Sequence, residues 1–439
     1  MRGAIGRFGP WERAVIILGM AAVVYAAVTA VPHVGQLVET QPRLIAAYLL
    51  ALAAGELVRV QLPSGRVTAP VATASAVALA FTALTNGEAP FSTSTSAVVL
   101  VAVVGIGLGL AVRRLVGRPL GLYLSMARLL GASVVAVLTR AIAFGGESLW
   151  QWQVDLQRGT PLVALAMLAI AAVGINVELV LGGMVRAERH RAQWDTVLRD
   201  DLGEAPALNV ALISSGPLVA LLAPVLGLLA LPLALVPMVL TYVAVEKYVA
   251  NQATYRQMIA TLSRLTEAGG YTSPDHAERV AELSVSIARN LGLLQRDVQV
   301  VEYAALLHDL GQIALREPIP GGATVLAAPG DQQQIAADGA RIVRRAGVLD
   351  NVAALVEVQA TPYRQVRELD EKVPVESRII KVANAFDDLT GGSRDPDAEE
   401  RALERIHLGL GYEYDPAIVE ALTDVLRTRS RPSLLPRDG

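Results

Sequence analysis

The sequence predicts an all-α protein in two parts: a polytopic transmembrane helical bundle, then a charged cytoplasmic helical domain. Three observations carry this. The 439-residue chain is 53% hydrophobic and only 18% charged, against about 45–50% and about 25% in ordinary soluble domains. Charges are sparse up to about Glu246 and dense beyond it. Apolar stretches of about 20 residues, the length that crosses about 30 Å of hydrocarbon, recur through the first part, while the second reads as amphipathic helices. The expected organisation is a membrane domain over 1–246, a helical connector over 247–268, a helical domain over 269–427 and a disordered tail over 428–439.

Candidate spans are 14–31, 44–60, 68–85, 95–112, 124–144, 161–183, 207–225 and 228–246. The last two divide one apolar stretch of about 40 residues, too long for a single crossing, and Pro206, Pro217, Pro224, Pro232 and Pro237 interrupt it. Arginines set the orientation. Arg2, Arg7 and Arg13 precede the first span, Arg59 and Arg66 follow the second, Arg113, Arg114 and Arg118 follow the fourth, and Arg186, Arg189, Arg191 and Arg199 follow the sixth. The alternate loops hold little beyond Arg43 and Arg158. With an even number of crossings, both termini of an integral membrane protein fall in the cytoplasm. A cleaved leader ending in Ala26-Ala27-Val28-Thr29-Ala30 is the alternative for the first span, but it would break that parity. Glu56, Arg128, Arg140, Asn176 and Glu178 are the polar groups inside the spans. Either they form a ligand or ion site, or, the reading preferred here, they snorkel and act as interhelical glue, with Arg128 and Glu178 at similar depth and able to pair.

The connector repeats Tyr248, Tyr255 and Leu262 every seven residues, with Met258 and Leu265 on the neighbouring stripe and Gly269-Gly270 as its stop. It is either a parallel homodimer helix or an amphipathic helix packed on its own domain. Ser273 as N-cap and Pro274 at the first helical position then open a helix carrying His276 in its first turn, with Val280, Leu283, Ile287 and Leu291 as its apolar face. A second helix, 297–308, presents His308-Asp309 at its end. Adjacent residues point about 100° apart on a helix, yet at a helix end both can converge on one ion. A loop with Pro318, Pro320, Gly321 and Gly322 leads to helices near 331–346 and 348–360. A further helix, 375–389, carries Asn384 and stops at Gly391-Gly392. Its Asp387 and Asp388 read as a solvated helix end rather than as ligands. The last helix starts at Asp415 as N-cap, with Pro416 next.

Composition narrows the chemistry. A net charge of -3 gives no argument for nucleic acid. The absence of cysteine removes disulfides, thiolate metal sites and cysteine nucleophiles. The five histidines are His33, His190, His276, His308 and His407, so any imidazole metal site is small.

Four segments in order carry a resemblance: His276-Ala277-Glu278-Arg279-Val280; Ala304-Ala305-Leu306-Leu307-His308-Asp309-Leu310-Gly311; the run from Arg378 to Thr390 containing Asn384; and Gly409-Leu410-Gly411-Tyr412-Glu413-Tyr414-Asp415-Pro416. Over about 262–427 the chain resembles the HD-GYP branch of the HD metal-dependent phosphohydrolases. The resemblance implies a helical fold, a divalent metal on His276, His308, Asp309 and Asn384, a catalytic role for His308 and Asp309, and a nucleotide ligand. It also marks departures. Asn384 stands for the family's metal aspartate and Gln312 for the lysine after Asp-x-Gly. Ile335 stands for a metal histidine, and Val358-Gln359-Ala360-Thr361-Pro362-Tyr363 replaces paired histidines with a Gly-Tyr-Pro loop. Two imidazoles, one carboxylate and one amide would hold one Mn, Fe or Zn weakly or not at all.

The expected function is a membrane-anchored signalling protein with a depleted, degenerate metal site, in which cyclic di-GMP hydrolysis is absent or very slow. The alternative is an active one-metal phosphohydrolase on another nucleotide or phosphoester. A transporter with a regulatory domain ranks third, because intramembrane charge is scanty. The expected partners are the lipid bilayer, a second copy through the connector helix and a nucleotide, with no nucleic acid.

Overall fold

The structure, a computed structural model, describes residues 9–83, 90–91, 94–144, 146–155, 161–190, 192–345, 347 and 349–430. It divides into two compact units, Met1–Val249 and Ala250–Gly439, and the architecture is helical throughout. The described strands form only two antiparallel hairpins, Val60–Gln61 with Val67–Thr68 and Ala143–Phe144 with Glu147–Ser148.

The first unit holds α1 (Pro10–Thr40), α2 (Pro42–Leu57), α3 (Pro70–Phe81), α4 (Thr95–Leu115), α5 (Leu122–Arg140), α6 (Leu149–Asp155), α7 (Pro161–His190), α8 (Trp194–Glu204), α9 (Pro206–Leu226) and the start of α10 (Ala230–Ala268). Among the described residues, five stretches are long and apolar enough to cross a membrane: Pro10–His33, Thr95–Leu115, Leu122–Arg140, Pro161–Arg189 and Pro206–Ala268. The last contains α9 and α10, divided by a 3-10 turn at Gly227–Leu229. Every expected span falls on a helix, but two are short. The α2 helix has 16 residues and α3 has 12, so α3 is about 18 Å long and cannot cross hydrocarbon alone. Its apolar character has another cause. All of α3 except Val71 is buried in protein, and its small side chains let neighbours close in, with Gly216 against Val77 and Gly55 against the Ala72 backbone.

The polar groups of this unit join helices, as expected of interhelical glue, and Arg128 and Glu178 approach each other. Glu56 and Arg128 are buried and paired with each other, and Arg59 reaches Glu56 at 2.7 Å. Arg128 Nε donates to Thr73 Oγ1 at 2.9 Å and lies 3.6 Å from Glu178. Arg140 is buried on the carbonyls of Ala80 and Thr82. Asn176 alone among the five bonds back along its own helix, to the Ala172 carbonyl at 2.8 Å. Charged groups inside a span pair with one another because an unpaired buried charge costs far more than a paired one.

The second unit contains the end of α10 and then α11 (His276–Asn290), α12 (Gln295–Leu307), α13 (Pro329–Arg344), α14 (Asp350–Val358), α15 (Tyr363–Glu368), α16 (Val375–Thr390), α17 (Pro396–Leu408) and α18 (Pro416–Ser430). Val280, Leu283 and Ile287 of α11, Val298, Val301 and Ala305 of α12, and Ile379, Ala383 and Phe386 of α16 share one core. Their helical spacing puts each set on one face. Two boundaries, and the exposed stripe of α10, bear on the expectations. The α11 helix starts at His276, after Asp275 in the left-handed region at φ 58°, and Ser273 instead accepts from Arg279 Nη2 at 3.2 Å. The α18 helix extends to Ser430, so 428–430 are helical, and the rest of the expected tail lies outside the described residues. On α10, Ile259 is buried in the core, whereas Tyr248, Tyr255, Met258 and Leu265 are exposed.

Candidate metal centre

Three helices bring the site together. His276 opens α11, His308 and Asp309 follow the end of α12, and Asn384 sits in the middle of α16. Close packing fixes the α12 end. A Cβ at Gly311 would collide with the Ile335 carbonyl of α13 and come within 2.7 Å of Gly339 N, so only glycine lets the 3-10 turn Leu310–Ala314 lie there.

The four side chains expected at the centre do converge, and their partners orient them. His276 Nδ1 is 2.8 Å from Asp387 Oδ2, and His308 Nδ1 is 2.8 Å from the Ala305 carbonyl. Both contacts are to acceptors, so Nδ1 carries the proton and each Nε2 turns inward with its lone pair when the ring is neutral. Asp309 Oδ2 lies 3.3 Å from both Nε2 atoms. Asn384 Nδ2 donates to Thr324 Oγ1 at 2.8 Å, which turns its Oδ1 toward His308 Nε2 at 3.1 Å. His276, His308 and Asp309 are all nearly inaccessible, and the facing atoms His276 Nε2 and Asp309 Oδ2 have no hydrogen-bond partner. Buried acceptors are normally paired. Here two imidazole nitrogens, a carboxylate oxygen and an amide oxygen face one point, which is the donor set of a cation such as Mn, Fe or Zn. The residues therefore fit the metal that the resemblance implies.

Titration agrees with that geometry. Burial disfavours a charged His276, but Asp309 and Asp387 on either side more than offset it and raise its pKa to about 10. A proton thus takes the place a cation would hold, and binding a metal would release it. Burial pushes His308 below the usual histidine range, which keeps it neutral and able to ligate. Asp309 is buried too, yet His308 and His276 hold it below the ordinary carboxylate range.

Asp387 and Asp388 are not a solvated helix end. Both are buried, because α16 ends against α11 and the 324–325 segment rather than in water. Arg279 clamps Asp387 through Nε and Nη2, each at 2.8 Å, and so holds the carboxylate that aims His276. Burial beside Asp309 raises Asp388 to about 7.

The departures have structural roles of their own. Gln359 Nε2 donates to the His308 carbonyl at 2.7 Å. Gln312 is buried with Nε2 3.4 Å from the Gly322 carbonyl, and Ile335 is in the core. His407 is exposed, away from the centre, and bonds along its own helix to Leu403. A cleft of about 270 Å³ opens at the centre, lined by His308, Asp309, Thr324, Asn384, Lys381 and Glu413 among others. Sequence reasoning missed Thr324, Lys381 and the clamp from Arg279. The signals were there: Arg279 follows His276 by one turn, and Lys381 precedes Asn384 by three residues.

The four side chains fall inside a segment that matches a known domain family. The HD domain family matches residues 275–389. A 3'3'-cGAMP-specific phosphodiesterase of Vibrio cholerae is 24% identical over 202 residues, 42% of this chain and 37% of the relative. The cyclic di-GMP phosphodiesterase response regulator RpfG of Xanthomonas campestris is 27% identical over 184 residues, 37% of this chain and 46% of its own length. A cyclic di-GMP phosphodiesterase of Thermotoga maritima is 29% identical over 195 residues, 39% and 51% respectively. The chain thus spans about half or less of the curated relatives it matches. No solved structure matches significantly. Residues 275–389 are an HD domain, weakly similar to cyclic-dinucleotide phosphodiesterases.

Proposed function

We propose that this is a membrane-anchored HD-domain protein whose second unit holds one divalent cation and acts as a one-metal phosphohydrolase on a nucleotide or a comparable phosphoester. The observation that carries this is the pair of buried, unpartnered atoms, His276 Nε2 and Asp309 Oδ2, facing each other beside two further inward-turned donors. When bound, such an ion supplies Lewis acidity and lowers the pKa of a water. His276, His308, Asp309 and Asn384 would hold it. Lys381, kept in the cleft wall by Glu413 at 2.5 Å and the Ala360 carbonyl at 2.7 Å, gives the cleft a cation within reach of a phosphate. The cleft, about 270 Å³, lies just below the roughly 300–1,000 Å³ of most ligand pockets, which favours a single nucleotide-sized group.

The relatives' names point to cyclic dinucleotides, but Gln312, Ile335 and Val358-Gln359 stand where that chemistry would want a lysine and second-metal histidines. Losing one electrostatic stabiliser costs about a hundred- to a thousandfold in rate. Cyclic di-GMP hydrolysis is therefore expected to be absent or very slow. Metal analysis and turnover of the purified full-length protein test the proposal. One tightly held Mn, Fe or Zn per chain with hydrolysis of a simple phosphodiester supports it; rapid cyclic di-GMP turnover would contradict the substrate reading.

A second reading, a signalling module that binds and relays without hydrolysis, draws support from Gln359, which braces the backbone of His308 instead of ligating. Stoichiometric metal without turnover would favour it. Bilayer insertion is supported by Ile17, Leu18, Val24, Tyr25 and Val28, which project outward from α1. With the short α2 and α3 counted together as a pair that does not cross, the number of crossings stays even and the arginine distribution puts both termini in the cytoplasm; a C-terminal reporter showing periplasmic signal would overturn that. Pairing of two copies along the exposed Tyr248–Tyr255 stripe is part of the same proposal.

A further inference from the structure

One turn beyond Asn384, α16 presents a carboxylate to the same centre. Residues four apart on a helix share a face, and Asp388 stands four after Asn384. Its side chain is only 4% exposed. Its Oδ2 accepts from the Val325 N–H at 3.0 Å and lies 3.4 Å from Thr324 Oγ1. That anchorage leaves Oδ1 4.0 Å from His276 Nε2. Two ligands each about 2.1 Å from one ion are at most about 4.2 Å apart. Asp388 Oδ1 meets that bound toward His276 Nε2; it lies outside the tighter set of His276, His308 and Asp309, whose ligand atoms are all within 4.8 Å of one another, so its side chain would turn toward the ion from the His276 side. The unpartnered His276 Nε2 and Asp309 Oδ2, both buried, give independent reason to place a cation between them.

We propose that Asp388 is the charged late-helix ligand of the cation, displaced by one helical turn from the position Asn384 occupies. This rests on the reading that the second unit binds one cation. Thr324 ties the two residues together. Its hydroxyl accepts from Asn384 Nδ2 at 2.8 Å, and its single proton is then free for Asp388 Oδ2. An amide at 384 suits that arrangement, because it brings a donor. A carboxylate there would have no proton for Thr324 and would add a third negative group beside Asp309 and Asp388. The centre is thus not short of charge: two carboxylates face a divalent ion, and Asn384 adds a neutral oxygen.

Titrating Mn(II) into the full-length protein in detergent, with free Mn(II) read by electron paramagnetic resonance, tests this. Asp388→Asn should weaken binding by about a hundredfold or more, since even outer-shell partners cost about 10–100-fold. The exchanged pair, Asn384→Asp with Asp388→Asn, should bind within about tenfold of the parent, because it returns a carboxylate to the same face; a chain that had merely lost its fold would not recover. Parental affinity in Asp388→Asn, or no recovery in the exchanged pair, overturns the assignment. Binding lost with His308→Ala but kept with Asp388→Asn would overturn Asp388 alone and leave the metal reading standing. A parent that takes up no Mn(II) overturns both.

Discussion

In the first unit Glu56 lies buried between two guanidinium groups, those of Arg128 and Arg59; in the second, Asp309 lies buried between two imidazoles, each turning its Nε2 toward it at 3.3 Å. Asp201 in the first unit is likewise matched by Arg186. In the second, Arg279 is the near cation, and it is spent on Asp387, on the far side of His276. A buried carboxylate with its own arginine is matched by a fixed cation of the chain. A buried carboxylate between imidazoles is matched by a proton, which a metal cation can replace. Charge burial alone therefore does not mark a site; the type of neighbour does.

The largest test of this contrast is Arg128→Leu. It leaves Glu56 with only Arg59 in a buried setting, and removing one partner of a buried pair costs about 3–5 kcal/mol. Unfolding in detergent would measure it, and Glu56→Gln with Arg128→Met should recover most of the loss. A cost below about 1 kcal/mol would mean the network is wet and the contrast fails. Next comes Asp387→Asn, which weakens the hold on His276 Nδ1. Mn(II) affinity should fall by about 10–100-fold, read by the same titration. Smallest is Asp415→Ala. Asp415 caps α18 through the Ala417 N–H at 3.0 Å and also pairs with Arg378, so its removal should cost at least a lost cap, about 0.5–2 kcal/mol, and leave Mn(II) affinity at the parental value. A metal defect in that variant would show that the centre responds to general loosening rather than to its own ligands.

The helical second unit was legible because its signals are local. Asp415-Pro416 starts α18 and Gly391 ends α16 at φ 59°, where sequence placed them. His276, His308, Asp309 and Asn384 come together as the motif order implied. What the sequence hid depends on distant partners. Two aspartates before a glycine pair read as solvent-facing, and only Arg279 and the Val325 N–H, separated from them by 108 and 63 residues, bury them. In the first unit, α3 is apolar enough to resemble a span, and only its packing among neighbours shows that protein, not lipid, accounts for that.

The contact from Gln359 to the His308 carbonyl bears on how this centre could change. Restoring a second-metal histidine at 359 would remove the donor that closes the end of α12, just where His308 and Asp309 are aimed. The gained ligand and the lost brace are one substitution, so a simple reversion would first disturb the aim of His308 and Asp309. Any route to a binuclear site, by mutation or by engineering, has to install another donor for that carbonyl beforehand. The order of steps is constrained by one hydrogen bond.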